Sequence, residues 1–148
     1  MRPLAGGFAV DFPDLDAVRL FRLAVDVEDY PHFIPWCLAA RVRRRDGNRL
    51  DVENHFGAGP VDIRFRSRAE AHEPDLLVIT STDGPFRHFR LEWRFEPMPA
   101  GGCRVIAAYH MDLRSPLLHG LARVAMPEME RRVASRFRQR ALQVYGGG

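Results

Sequence analysis

Apolar and polar residues alternate with a period of two through most of the segment from Leu38 to Leu113. Val61, Ile63, Phe65, Ser67, Ala69 and Ala71 fall on one face of a strand, and Asp62, Arg64, Arg66, Arg68 and Glu70 on the other. Phe89, Leu91, Trp93 and Phe95 oppose Arg90, Glu92, Arg94 and Glu96. Cys103, Val105, Ala107, Tyr109, Met111 and Leu113 share a face in the same way. Each run therefore predicts a strand with one buried and one wet side. Turn signals separate the runs: Asp46-Gly47-Asn48, Gly57-Ala58-Gly59-Pro60, Glu73-Pro74-Asp75, Asp83-Gly84-Pro85 and Pro99-Ala100-Gly101-Gly102. Short connections of this kind predict an antiparallel meander of about seven strands, counting a first strand over Gly7 to Phe12.

Two other segments follow different rules. Behind Pro13, Asp14 is placed to accept from free amide N–H groups, and Val18, Phe21 and Val25 recur at helical spacing, which predicts a helix of about three turns. Pro31 and Pro35 then forbid a long regular helix, while Tyr30, Phe33, Ile34 and Trp36 are too apolar to leave in water. This second short helix or turn must pack onto something. From Ser115 to Tyr145 the period is helical, with Leu118, Leu121, Ala122, Ala125, Met129, Val133, Phe137 and Ala141 on one stripe. Pro127 is expected to kink that helix or to start a second one. A sheet with one apolar face must cover it, and only the last helix is long enough. The expected architecture is an α+β helix-grip fold over residues 1–148, a curved sheet wrapped on a long C-terminal helix with two short helices after the first strand.

Composition narrows the chemistry. At 148 residues with 46% hydrophobic content, the chain is sized for one core. No stretch approaches the roughly 20 apolar residues of a membrane span, and no long apolar run precedes the first acidic residue, so a cytoplasmic protein is expected. All 22 basic residues are arginine, which excludes lysine chemistry such as a Schiff base. Cys37 and Cys103 form no disulfide framework and are expected as free thiols. The six histidines are scattered, none at a metal-ligand spacing, and His55, His72, His88 and His110 fall on outward strand faces. No nucleophile elbow, phosphate loop or dinucleotide fingerprint occurs. Cys37 has only His32 nearby as a basic partner and no triad pattern, so neither catalytic residues, metal nor a required cofactor is expected.

Four segments carry a family resemblance: DVEDYPHFIPWC from Asp26, DGPFRHFRLEWRF from Asp83, GGCRVIAAYHMDLRSPLL from Gly101 and FRQRALQVYG from Phe137. On these the chain resembles the coenzyme Q-binding and RatA-type proteins, a START-like branch often labelled polyketide cyclase/dehydrase-like. The resemblance implies a hydrophobic cavity and a bound ubiquinone or related lipid in support of respiration. For some bacterial members it implies inhibition of ribosomal subunit association, and the superfamily label also carries cyclase-type enzymes. Any family role that falls to a lysine does not transfer.

The residues expected to meet such a ligand come from both walls of the grip. Phe65, Trp93, Phe95, Tyr109 and Met111 face inward from strands, and Met129, Val133 and Phe137 face them from the helix. The alternative is that they interlock as ordinary core. The small inward residues Ser67, Ala69, Ala71 and Ala107 favour unfilled volume. Tyr109 is the best-placed donor for a quinone carbonyl, or else a core tyrosine whose hydroxyl reaches solvent. Tyr30, Phe33, Pro35 and Trp36 would plug one end of the grip or form a ligand gate or membrane-facing wedge. Outward Arg64, Arg66 and Arg68, with Arg41, Arg43 and Arg45 and the arginines of the last helix, form a basic surface. Its three readings are a solvated face, contact with anionic lipid at the inner membrane, and contact with ribosomal RNA. No DNA partner is expected.

Overall fold

The structure is a computed structural model and describes residues 2–146. Seven strands form one antiparallel sheet: β1 (Leu4–Phe12), β2 (Cys37–Asp46), β3 (Arg49–Ala58), β4 (Val61–His72), β5 (Leu76–Ser81), β6 (Phe86–Pro97) and β7 (Cys103–Leu113). Their spatial order is β1-β7-β6-β5-β4-β3-β2, so the meander from β2 to β7 returns to pair with β1. Helix α1 (Ala17–Val25) and a 3₁₀ helix (Val27–His32) carry the chain from one sheet edge to the other, and α2 (Pro116–Tyr145) lies across the concave face. The expected helix-grip architecture is therefore present. The alternation locates the faces residue by residue: Ser67, Ala69, Trp93, Phe95, Val105 and Ala107 are buried, while Arg66, Arg68, Arg94 and Arg104 are exposed.

Three local expectations need correction. The first helix is capped by Asp16, whose carboxylate accepts from the Arg19 N–H at 2.9 Å, because Pro13 and Asp14 are used in the turn that leaves β1. The shift of entry rotates the buried face to Leu20, Phe21, Leu23 and Ala24 and leaves Val18 exposed. Second, β1 begins at Leu4, since Gly6 and Gly7 pair with Tyr109 and Ala108 of β7 like any other strand residues. Third, of the two outcomes expected at Pro127, a second helix does not start there: α2 runs through it as one helix. Pro127 and Arg123 both sit on the exposed side, where water can satisfy the Arg123 carbonyl that the proline leaves without an amide partner.

The sheet edges are protected differently. β2 carries exposed Arg41, Arg44 and Arg45, a charged edge that disfavours pairing with another chain. β1 is covered by α2, and the Gly7 N–H donates to Glu130 Oε1 at 3.1 Å.

Packing under α2 is divided. Around its C-terminal half, Val133, Phe137 and Ala141 join the main core with Phe12, Phe21, Phe33, Trp93 and Phe95. Near its N-terminus, Leu118, Ala122 and Met126 pack on a separate small cluster of Phe86, Met111 and Leu113. The helix is thus held at two places along the sheet, and the surface between them is not filled.

Candidate functional site

Between the two clusters lies a cavity of about 620 Å³. Its floor is set by residues too small to reach the helix, Ser67, Ala69 and Ala107, and the helix above contributes Ala122 and Ala125. Large apolar side chains make the walls: Val52, Phe56, Ile63, Phe65 and Ile79 from β3 to β5, Phe89, Leu91, Trp93, Tyr109 and Met111 from β6 and β7, and Met126, Met129 and Val133 from α2. Such a helix, fixed at both ends, cannot collapse onto small floor residues without breaking one cluster, which is why the space stays open.

The expected lining residues divide into two groups. Tyr30, Trp36, Phe65, Trp93, Tyr109, Met111, Met129 and Val133 all border the cavity. Phe33, Pro35, Phe95 and Phe137 do not; they belong to the closed end. Phe137 sits edge-on to Phe12 and Phe33 at 6.0 and 5.7 Å between ring centroids and lies 5.0 Å from Trp93. Phe95 packs on Phe21 at 5.5 Å. These rings are consumed by one another because α1, the 3₁₀ helix and the end of α2 converge there. Leu121, expected on the buried stripe, is half-exposed at the cavity mouth.

The Tyr30–Cys37 corner forms one side of that mouth. The Tyr30 hydroxyl donates to the Ala24 carbonyl at 2.7 Å, and full burial pushes its pKa far up, opposed slightly by the nearby Trp93 indole. Tyr30→Phe strands a buried carbonyl and is expected to cost about 1–3 kcal/mol in a denaturant titration. Trp36 has φ +66°, a left-handed conformation that an L side chain adopts at a cost of roughly 1–2 kcal/mol. The reversal swings its indole out to the rim, where it is 37% exposed and covered by the Arg132 guanidinium of α2 at 5.8 Å. A second tie, Asp29 to Arg140 with both contacts at 3.1 Å, anchors the 3₁₀ helix to α2. Across the opening, Leu121 and Val124 of α2 are 48% and 82% exposed.

Polar groups reach the cavity at two stations. On one side the Tyr109 hydroxyl donates to Glu130 Oε1 at 2.7 Å. It lines the cavity with its proton already committed to Glu130, so it is not a free donor for a ligand carbonyl. Desolvation, then the hydrogen bond to Glu130 and its negative charge, push the Tyr109 pKa strongly up, so the hydroxyl stays a donor. This arrangement needs a glycine beside it: a Cβ on Gly6 would lie 2.1 Å from Glu130 Oε1. At the other station Asn54 Nδ2 donates to Ser67 Oγ at 2.9 Å and to the Phe65 carbonyl at 3.2 Å. Neither Asn54 nor Glu130 was among the sequence candidates. Both have a signal, since Asn54 alternates with Leu50, Val52 and Phe56, and Glu130 falls at helical spacing between Met126 and Val133.

The remaining reactive groups are muted. Cys37 and Cys103 are free and buried, and desolvation pushes both thiols from 9.0 up to about 11. A raised folded-state pKa means the folded state disfavours the thiolate. Their contribution to stability is complete below pH 9 and is lost as pH rises through 11. Native protein at pH 8 is therefore expected to resist iodoacetamide at both thiols, with both alkylated after unfolding, as mass spectrometry would read. Among the described residues no group of three or more His, Cys, Asp or Glu is arranged to hold a metal ion, and no helix is long and apolar enough to cross a membrane.

The basic surface is partly neutralised where the strands carry it: Arg43 pairs with Glu53 at 3.0 Å, whereas exposed Arg41 and Arg45 have no ion pair among the described residues. Arg64 lies 3.6 Å from Asp62 and Arg68 3.3 Å from Asp51. Arg66 has no ion pair among the described residues; its backbone N–H donates to Asp83 at 2.8 Å.

Comparison with known proteins agrees with this geometry. The family model described as polyketide cyclase/dehydrase and lipid transport matches residues 14–138. The chain is 27% identical over 130 residues to the ribosome association toxin RatA of Pseudomonas aeruginosa, covering 88% of this chain and 90% of that one. It is 24% identical over 153 residues to the mitochondrial coenzyme Q-binding protein COQ10 homolog B of Xenopus laevis, covering 97% of this chain and 63% of that one. Among solved structures, a START superfamily protein from Mycobacterium smegmatis superposes with TM-score 0.71 at 11% identity, over 94% of this chain and 99% of that one. The ZhuI aromatase/cyclase from Streptomyces sp. R1128 superposes with TM-score 0.75 at 14% identity, over 99% and 98%. At those identities the likeness is one of fold alone.

Proposed function

The chain belongs to the polyketide cyclase/dehydrase and lipid transport family, and from that premise we propose that it binds and carries an apolar small molecule, ubiquinone or a related polyisoprenoid. The observation that carries this reading is the cavity of about 620 Å³, walled by aliphatic and aromatic side chains and polar at only two stations. A volume of that order takes a ring and the first units of a tail. The rest of a long isoprenoid tail would leave through the mouth, where Trp36, Leu121 and Val124 already present apolar surface to the outside. The same rim supports brief peripheral contact with a membrane during exchange.

We assign no catalytic step to the cavity. A general acid or base works best with a pKa near the operating pH, whereas Tyr109 is pushed well above its ordinary range, and neither thiol lines the cavity. The test is organic extraction of natively purified protein followed by mass spectrometry. A polyisoprenoid quinone or similar lipid in near-stoichiometric amount is expected; an empty extract from protein purified without detergent overturns the proposal.

A second reading, association with the ribosome, is favoured by the likeness to RatA over 88% of the chain. The sheet surface is divided for that purpose: Arg43, Arg64, Arg68, Arg90 and Arg94 face carboxylates, while exposed Arg41, Arg44, Arg45 and Arg66 have no ion pair among the described residues. Sedimentation through a sucrose gradient separates the two: comigration with the large subunit and an empty extract would favour the ribosomal role.

A further inference from the structure

We propose that the cavity selects a ligand bearing hydroxyl donors, a hydroquinone or phenol, over the corresponding quinone or ether. This deepens the apolar-ligand reading and rests on it. Most hydrogen-bonding groups on the wall are already engaged, and those left over are acceptors more than donors. Glu130 Oε1 receives the Tyr109 hydroxyl and the Gly7 N–H, while Glu130 Oε2 receives no donor among the described residues. Asn54 Nδ2 is held by Ser67 Oγ and by the Phe65 and Val52 carbonyls. The two carbonyls, which only accept, fix the amide orientation, and Oδ1 has no donor among the described residues.

Donors are scarcer. The Tyr109 proton goes to Glu130 and the Tyr30 proton to the Ala24 carbonyl. The Trp93 indole N–H has no acceptor among the described residues, but its nitrogen is buried. Inside the rim, Ser67 keeps the one side-chain donor left among the described residues. A quinone brings only acceptors and would set its carbonyls against a carboxylate and an amide oxygen. A hydroquinone brings two O–H donors to the same groups, and a hydrogen bond to a charged acceptor is among the stronger ones available to a neutral ligand. Glu130 is the principal acceptor and Asn54 the second.

The test is anaerobic isothermal titration calorimetry of lipid-stripped protein with decylubiquinol, decylubiquinone and the dimethyl ether of the quinol. The quinol is expected to bind on the order of tenfold more tightly than either of the others, the worth of one charge-assisted hydrogen bond. In Glu130→Gln the amide oxygen can keep the Tyr109 and Gly7 donors and turn its NH₂ toward the cavity, so the preference is expected to vanish or invert; circular dichroism checks that the fold is kept. Equal binding of all three ligands, tighter binding of the quinone, or a quinol preference unchanged in both Glu130→Gln and Asn54→Ala overturns the inference while leaving the apolar-ligand reading intact. Binding of none of the three removes both.

Discussion

Replacing Phe137 by alanine is expected to lower the unfolding free energy by about 3–5 kcal/mol, the range for deleting a fully enclosed aromatic ring. Phe137 has no exposed surface, and its ring meets Phe12 of β1, Phe33 beyond the 3₁₀ helix and Trp93 of β6. It is therefore the point at which α2 is fastened to the β1 edge, to β6 inside the sheet and to the corner that closes the grip. Phe12 and Trp93 are themselves held by backbone pairing in β1 and β6, so they cannot move in to fill the space. The loss is a large part of the stability of an ordinary domain and should lower the thermal midpoint by on the order of 10 °C. Calorimetry of the purified variant reads it directly. A loss below about 1 kcal/mol would mean that α2 is not fastened here and that the two-cluster account of the cavity is mistaken.

How much of this was legible beforehand follows from what each pattern encodes. Period-two alternation assigns a residue to one face of a strand, and for Phe65, Trp93, Tyr109 and Met111 the face is the cavity wall. The pattern carries no information about position along the helix that covers the face. Phe95 and Phe137 are as inward as Trp93 and Val133, yet they are enclosed by Phe21, Phe12 and Phe33, elements from the other end of the chain. Pro35 is likewise buried at the closed end, while its neighbour Trp36 is carried to the rim by a single positive φ that no periodicity reveals. The polar stations were visible as breaks in an apolar pattern, Asn54 in its strand and Glu130 in its helix. What the sequence could not supply is that Tyr109 and Glu130 meet, because their hydrogen bond depends on how closely α2 approaches the glycines of β1.

Val133→Trp is expected to abolish retention of the bound lipid while the fold survives, the opposite outcome to Phe137→Ala from a position one turn away. Helical side chains lean toward the N-terminus of their helix, so a larger group at 133 extends toward Met129 and Glu130, over the cavity, and away from the packed rings at Phe137. Val133 already borders that space and is almost fully buried. The added ring therefore enters empty volume, and the usual overpacking cost of about 1–3 kcal/mol should fall at or below its lower end. Val144→Trp, on an exposed position near the end of the same helix, controls for the chemistry of the substitution and should retain lipid like the parent chain. Extraction and mass spectrometry of the three proteins, with thermal denaturation alongside, gives the result. Should Val133→Trp fail to fold, Ala125→Phe fills the cavity from the helix nearer the mouth and carries the same expectation. Undiminished lipid in a folded cavity-filling variant would place the ligand somewhere other than between the sheet and α2. Retention lost in Val133→Trp but kept in whatever fraction of Phe137→Ala remains folded would show that one stretch of helix has two separable duties. The turn at 137 fastens the grip, and the turn at 133 bounds the space the grip encloses.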